Sequence, residues 1–151
     1  MRSKTLLLTT LAVLTAGSLM ASQGGEKAGP SKATLVTAAE LKWVDVPGTP
    51  AKLATVKGDA AKGAHQSFFT LPGGFTAPLH SHTADHQVVV VSGTMVLTPE
   101  GGTAKKLGPG SWFEFTGAKK HVTACEAGAD CVLVIVGKGA WDLVPAEAPK
   151  K

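Results

Sequence analysis

The sequence predicts an all-β fold, an antiparallel sandwich or barrel, on the strength of three observations. Seven short runs have the β-branched and aromatic composition of strands: LKWVDV, AKLATV, HQSFFTL, QVVVVSGTMVLT, SWFEF, HVTAC and CVLVIVG. Glycine and proline clusters separate these runs, as at Pro47-Gly48, Pro72-Gly73-Gly74 and Gly108-Pro109-Gly110. The only long helical-type run lies near the N-terminus, so the pattern offers no helices for a βαβ fold.

The N-terminus has the features of an export signal. Arg2 and Lys4 precede an apolar run that reaches Met20, and small residues between Ser18 and Gly24 offer cleavage positions. That run is too short and too early for a membrane span, and no cysteine near the junction could carry a lipid. We expect a signal peptide over 1–22, a flexible lead-in over 23–33 and one barrel domain over 34–147, in the periplasm or secreted. A buried N-terminal helix is the alternative.

The charge pattern excludes several classes of partner and mechanism. Removing Arg2 and Lys4 from 15 basic residues leaves 13 against 11 acidic ones, so the mature net charge is about +2. The lysines are scattered in turns and strand edges, so neither nucleic acid nor, after signal cleavage, a membrane is an expected partner. The remaining chain has no arginine or tyrosine, which excludes a guanidinium clamp on a carboxylate and a tyrosine acid or base.

Two cysteines, Cys125 and Cys131, bracket the turn-type sequence EAGAD. Because strand-type runs precede and follow it, the two thiols are expected to face each other across a hairpin. In an exported protein a disulfide is then the expected state, and a loop this short makes it worth about 2 kcal/mol. A free thiol pair or a metal-bound cysteine are the alternatives.

Three of the five histidines lie between His80 and His86. Side chains alternate between the two faces of a strand, so His80 and His82 point the same way and can hold one metal ion. His86 keeps the same parity if the chain stays extended, and a turn at 83–85 would swing it inward instead. Any single histidine is commonly a surface residue, but the pattern H-x-H-x3-H beside strand-type runs predicts a metal site.

The spacing around these histidines resembles the first part of the cupin signature. That part reads G-x5-H-x-H-x3-E-x6-G, or with x4 before the glutamate. Here the same intervals separate Gly74, His80, His82, His86 and Gly93, so that His86 stands in the place of the usual glutamate.

The second part of the cupin signature, G-x5-P-x-G-x2-H-x3-N, is matched in spacing from Gly110 to Cys125. Thr116, Ala118 and Cys125 replace the usual proline, glycine and asparagine, and His121 keeps the histidine. The resemblance covers most of residues 40–145, and its finer detail is most similar to small single-domain cupins of the anti-sigma-factor and uncharacterised types.

This resemblance implies a conical antiparallel barrel, the double-stranded β-helix or jelly roll, with one divalent metal inside. The ligands it implies are His80, His82 and His121, with His86 in the fourth position. Imidazole suits Zn, Fe, Cu and Ni alike, so the metal stays open, although replacing a carboxylate by a neutral ring favours a lower oxidation state. A small-molecule ligand or substrate and a homodimer are implied in the same way.

Four further residues are candidates for the pocket or for contact with the metal ligands. His65 begins the run HQSFFTL, where it could serve as a hydrogen-bonding neighbour or general base, or lie at an exposed strand edge. Glu114 is either a pocket carboxylate or an outward, solvated group. Gln87 is placed to orient His86, and Trp112 to form a pocket wall.

Two function classes are compatible with these residues. One is a metal-dependent enzyme, such as an oxygenase, acting on a small apolar or enolisable substrate. The other is a non-catalytic ligand-binding or sensing module, and a purely structural metal with four protein ligands is a third, weaker hypothesis. An acid or base beside the metal would distinguish an enzyme from a binding module, and only His65 and Glu114 are candidates for it.

Overall fold

The computed structural model describes residues 32–146, which form eleven strands and one short 3-10 helix, Ala38–Glu40, with no α-helix among them. The predicted signal peptide, nearly all of the predicted lead-in and residue 147 lie outside the described residues. None of the helices within 32–146 is long and apolar enough to cross a membrane. The strands are β1 Val44–Asp45, β2 Lys52–Gly58, β3 His65–Leu71, β4 Thr76–Ser81, β5 His86–Ser92, β6 Met95–Pro99, β7 Lys105–Leu107, β8 Trp112–Phe115, β9 His121–Cys125, β10 Cys131–Gly137 and β11 Val144–Pro145.

The strands form two antiparallel sheets, which confirms the predicted all-β barrel of the jelly-roll type. The six-stranded sheet has the order β1-β2-β3-β10-β5-β8, and the five-stranded sheet has the order β11-β4-β9-β6-β7. From β3 onward the chain changes sheet at every connection except the one between β6 and β7. Strands that follow one another in the sequence therefore mostly lie in opposite sheets.

The space between the sheets is apolar at one end and rich in histidine at the other. Along β10 the inward residues Leu133 and Ile135 are 3% and 1% exposed, whereas Val136 between Ile135 and Gly137 is 39% exposed. At the other end, four residues are paired side by side on the neighbouring strands β3, β10, β5 and β8: His65, Gly137, His86 and Phe115. Strand alternation thus brings His65 and His86 to the same inner face.

The predicted disulfide is confirmed, but the predicted hairpin is wrong. Cys125 and Cys131 are bonded to each other and are 2% and 0% exposed. Cys125 ends β9 in the five-stranded sheet, and Cys131 begins β10 in the six-stranded sheet. The disulfide consequently joins the two sheets, because the turn between the cysteines carries the chain from one sheet to the other.

The single run predicted over QVVVVSGTMVLT is two strands in different sheets, β5 and β6. The break falls at Gly93, whose φ of 74° lies in the left-handed region that favours glycine. A side chain there would also come within 2.7 Å of the Asp130 carbonyl oxygen. Gly93 is the last glycine of the first cupin motif. The sharp change from one sheet to the other explains why glycine is needed at this position.

Candidate metal centre

Three histidines meet at the histidine-rich end of the two sheets. His80 lies near the end of β4, His82 follows that strand, and His121 begins β9 opposite His80 in the ladder. Their potential ligand nitrogens all lie within 4.8 Å of one another, and each residue is buried. An irregularity in the pairing of β4 with β9 between Ala77 and His80 lets both residues be buried although they are three positions apart.

Backbone carbonyl groups hold the three imidazoles in one tautomer. The Nδ1 of His80 is 2.7 Å from the Pro78 oxygen, and that of His121 is 2.9 Å from the Lys119 oxygen. His82 makes the same contact with the carbonyl of Asp142. Because a carbonyl oxygen only accepts, each Nδ1 must carry the proton and donate it. Each Nε2 is therefore left with its lone pair, as a metal ligand requires.

Burial keeps these imidazoles neutral. Desolvation, reinforced by the neighbouring imidazoles, lowers the pKa of His82 from 6.5 to about 3 and that of His121 to about 4. Desolvation also lowers the pKa of His80. Neutral imidazole is the form that binds a metal, so no proton has to be displaced near neutral pH. The chemistry and arrangement of the three donors therefore fit a divalent transition metal ion.

His86 lies beside this triad without being part of it. It begins β5, is 4% exposed, and its ring centroid is 4.6 Å from that of His82 and 6.3 Å from that of His121. It does not belong to the group of histidines whose nitrogens lie within 4.8 Å of one another. Its role as a fourth ligand stays a prediction, while its place in the same cavity as the triad is observed.

A small cavity of about 50 Å³ adjoins the four histidines. Apart from these histidines, the described residues that line it are apolar or are the threonines Thr49 and Thr123, and none is charged. Phe69, Val88 and Ile135 contribute apolar wall from the six-stranded sheet. A small molecule in this cavity would therefore have imidazole nitrogens on one side and mostly apolar side chains around the rest of its surface.

The sequence of this region also matches a known family. A family model described as "Cupin domain" matches residues 67–137, the stretch that contains the whole triad, His80, His82 and His121. Residues 67–137 of this chain form a cupin domain. The two-part spacing of histidines and glycines that predicted the family therefore corresponds to the strands and the site that the structure contains.

Solved structures share the fold of this cupin at low sequence identity. The polyketide cyclase RemF from Streptomyces resistomycificus is 19% identical, with a TM-score of 0.65 over 79% of this chain and 89% of that one. The DMSP lyase DddQ from Ruegeria pomeroyi DSS-3 is 18% identical, with a TM-score of 0.56 over 67% and 57% of the two chains. A chain of the Rhodobacter sphaeroides SigE complex with the anti-sigma ChrR is 20% identical, with a TM-score of 0.52 over 68% and 52%. No curated protein matches, and at identities of 18–20% these solved structures establish the fold alone.

His65 is buried in this cupin but does not line the cavity of the described residues. It is 4% exposed, which makes the alternative of an exposed strand edge wrong. Its Nδ1 is 2.8 Å from the Ser67 hydroxyl, which in turn lies 3.2 Å from the hydroxyl of Thr55. Its Nε2 is buried without a partner among the described residues. The ring lies against Gly137, where any side chain would overlap it.

The other three pocket candidates lie on the outer face of the six-stranded sheet, and none of them lines the cavity beside the triad. Gln87 donates a hydrogen bond of 3.0 Å to Glu114, and Glu114 is exposed to solvent while Gln87 is half-buried. Trp112 is 56% exposed. Strand alternation explains the outcome, because the inward positions of β8 are taken by Phe113 and Phe115. The outward alternative for Glu114 is the one that the cupin adopts.

The sequence prediction missed the role of two residues near the C-terminus, Trp141 and Asp142. The Trp141 ring centroid is 4.3 Å from that of His82, with an interplanar angle of 33°. The Asp142 carbonyl accepts the hydrogen bond of the His82 Nδ1, and its carboxylate accepts hydrogen bonds from the Thr83 amide at 2.9 Å and the Thr83 hydroxyl at 2.5 Å. Sixty positions separate Asp142 from His82, and no local pattern indicates such a contact.

Proposed function

We propose that this cupin binds one divalent transition metal through His80, His82 and His121 and acts as a metal-dependent enzyme on a small uncharged substrate. The observation that carries the proposal is three neutral imidazoles with free Nε2 atoms beside an apolar cavity. Three protein ligands leave a coordination position open, which is the arrangement of catalytic rather than structural sites.

A metal bound there would polarise a carbonyl or hydroxyl oxygen of the substrate, or lower the pKa of bound water. The residues of the chain supply the rest. The apolar wall excludes bulk water and orients the substrate by its shape, while the carbonyl groups of Pro78, Lys119 and Asp142 fix the imidazoles. His86, the imidazole beside the triad, is the group that can accept a proton or a hydrogen bond from a substrate.

The first test is the metal content of the untagged protein, measured by elemental mass spectrometry on wild type and single variants. We expect one equivalent of metal in wild type and its loss in His80→Ala and His121→Ala. His86→Ala should keep its metal, and His65→Ala serves as the matched control, a buried histidine outside the cavity. Full retention of metal by His80→Ala and His121→Ala would refute the site, and loss in His86→Ala would indicate a closed four-ligand site.

A non-catalytic ligand-binding or sensing module is the second candidate. It is favoured by the absence of any carboxylate or lysine among the described residues that line the cavity, since this leaves imidazole as the only acid or base there. The two candidates differ in turnover. Oxygen uptake or product formation with small uncharged enolisable compounds supports the enzyme, whereas saturable binding of such compounds without turnover supports the module.

We also infer that the chain is exported and acts in the periplasm or outside the cell. Arg2, Lys4 and the apolar run that follows support a signal peptide, and the buried Cys125–Cys131 disulfide fits an oxidising compartment. The mass of the mature protein tests this inference. Cleavage between Ser18 and Gly24 is expected, and a full-length chain recovered from the cytoplasm would contradict it.

A homodimer through the outer face of the six-stranded sheet is our proposal for the quaternary state. An apolar row crosses four strands on this face and consists of Phe68, Val134, Val89 and Trp112. In the neighbouring polar row, Glu114 lies on β8 and Lys57 on β2. A two-fold axis parallel to the strands would place Glu114 of one copy opposite Lys57 of the other, so the second copy complements this face in charge. Light scattering should give a dimer mass for wild type and a monomer mass for Trp112→Lys, and a monomeric wild type would exclude the dimer.

A further inference from the structure

We infer that Trp141 is the specificity-determining residue of this site because it limits the ligand to about four to six non-hydrogen atoms, and that the lining of the cavity restricts this ligand to an uncharged molecule. The inference rests on the proposed function, because it assumes that a metal at the triad is the anchor of the ligand. It adds the class of the ligand and the residue that sets its size.

Trp141 forms a wall of the cavity directly beside the candidate metal ligand His82. Its ring lies over His82, and its centroid is 5.5 Å from those of both His86 and Phe69. The residue is only partly buried, as is appropriate to a side chain that separates the cavity from solvent. A ligand bound at the triad that extends toward this side therefore meets the indole ring first.

This wall is held in place by the backbone on both sides. The Trp141 amide donates to the Ala60 carbonyl at 2.7 Å, and the Lys138 amide donates to the Asp85 carbonyl at 2.9 Å. On the other side the Asp142 carboxylate is bonded to Thr83. These contacts fix the backbone that carries the indole, and the packing of the ring against His82 and Phe69 opposes its rotation, so the ring acts as a fixed limit.

The size limit follows from the volume of the cavity. A space of about 50 Å³ holds about four water molecules, since one water needs about 10–15 Å³ measured in this way. Four waters occupy about 120 Å³ of liquid, which corresponds to about four to six non-hydrogen atoms of an organic molecule. A second fused ring does not fit unless Trp141 is removed.

The exclusion of charge follows from the lining. The cavity wall formed by the described residues has no arginine or lysine to pair with an anion and no carboxylate to pair with a cation. A charge remote from the metal would therefore be buried without a partner, which strongly disfavours binding. The selected ligand is consequently uncharged on the side that faces away from the metal.

Pyrazole, indazole and pyrazole-4-carboxylate share one metal-binding ring. Pyrazole and indazole test the size limit in wild type, and the carboxylate, which is also larger than pyrazole, tests the charge limit in Trp141→Ala, where the size limit is removed. Each is titrated into protein loaded with Co²⁺, and binding is followed by the visible spectrum of the ion. We expect pyrazole to bind wild type at least about tenfold more tightly than either of the other two. Trp141→Ala should bind indazole within about threefold of pyrazole and should still reject the carboxylate.

Trp141→Phe is the second variant, in case the alanine variant does not fold, and should give an intermediate affinity for indazole. Trp43→Ala is the matched control, an exposed tryptophan that does not line the cavity and should leave all three affinities unchanged. Failure of wild type to take up Co²⁺ refutes the proposed metal site itself. Normal Co²⁺ uptake with equal binding of pyrazole and indazole to wild type refutes the role of Trp141, and tight binding of the carboxylate refutes the ligand class.

Discussion

The substitution Asp142→Ala tests whether a segment remote in sequence positions a ligand of the metal. The carbonyl of residue 142 accepts the hydrogen bond from the His82 Nδ1, and this carbonyl remains in the variant. The carboxylate that fastens the residue to Thr83 through two hydrogen bonds is removed. We therefore expect the carbonyl to lose its fixed position and the His82 ring its fixed orientation.

The magnitude of the effect follows from these contacts. Groups that orient metal ligands typically change metal affinity by 10- to 100-fold when mutated, so we expect a loss of about that size for Asp142→Ala. The decrease in the free energy of unfolding should be smaller than that caused by breaking a buried hydrogen-bond network, because the Asp142–Thr83 hydrogen bonds are exposed. Two hydrogen bonds at a partly exposed position contribute about 1 kcal/mol each, so a decrease of about 1–2 kcal/mol is expected.

The assay is competition for Zn²⁺ against a chromophoric chelator, combined with urea unfolding of the metal-free proteins. Asp142→Asn should be intermediate in affinity, because its amide oxygen can still accept from the Thr83 amide. Asp45→Ala is the matched control, since Asp45 is exposed and forms only a surface ion pair with Lys52. Unchanged Zn²⁺ affinity in Asp142→Ala, with the stability loss present, would show that the positioning argument is wrong.

Three further predictions concern stability. Replacing Cys125 and Cys131 by alanine should lower the free energy of unfolding by about 2 kcal/mol in urea, and an unchanged midpoint would contradict the role of the disulfide between the sheets. Ala118 has a φ of 63°, so Ala118→Gly should raise the free energy of unfolding by up to about 1 kcal/mol, and a decrease would contradict left-handed strain there. The metal-free protein should lose stability as the pH falls below about 6.5, because the unfolded chain then binds protons that folded His82 and His121 exclude. Each of these two histidines contributes a slope of up to about 1.4 kcal/mol per pH unit, which continues down to the folded pKa values of about 3 and about 4. Urea unfolding between pH 7 and pH 4 measures this pH dependence, and a free energy of unfolding that does not change with pH would contradict the lowered pKa values.

Ala118 shows how a departure from a family pattern can be explained by the backbone. The cupin signature has glycine at this position, and among the described residues Ala118 is the only residue other than glycine with a positive φ. Its amide donates to the His82 carbonyl at 2.8 Å. The loop before His121 is therefore tied to the chain that follows β4, and the left-handed residue makes this contact possible.

The sequence was sufficient where the information is periodic and local. Alternation along the strand-type runs predicted the all-β fold, and the interval between His80 and His82 predicted that they share a face, as the triad confirms. The same alternation could not predict which face of β8 is inward. Trp112 and Phe113 are adjacent and point to opposite faces, and both are large and apolar. For that reason the sequence predicted Trp112 as a pocket wall, whereas it lies on the outer face and does not line the cavity beside the triad.

What the sequence by itself determined is the cupin fold, the disulfide pair and the candidate metal ligands, because these depend on residue type and short intervals. What the tertiary structure alone decided is which sheet each strand joins and which distant residues meet. It placed Cys125 and Cys131 in opposite sheets, brought Asp142 to the Nδ1 of His82, and stacked Trp141 over the same ring. The contacts of Asp142 and Trp141 with His82 arise from the packing of segments about sixty positions apart, and a local sequence pattern cannot indicate them.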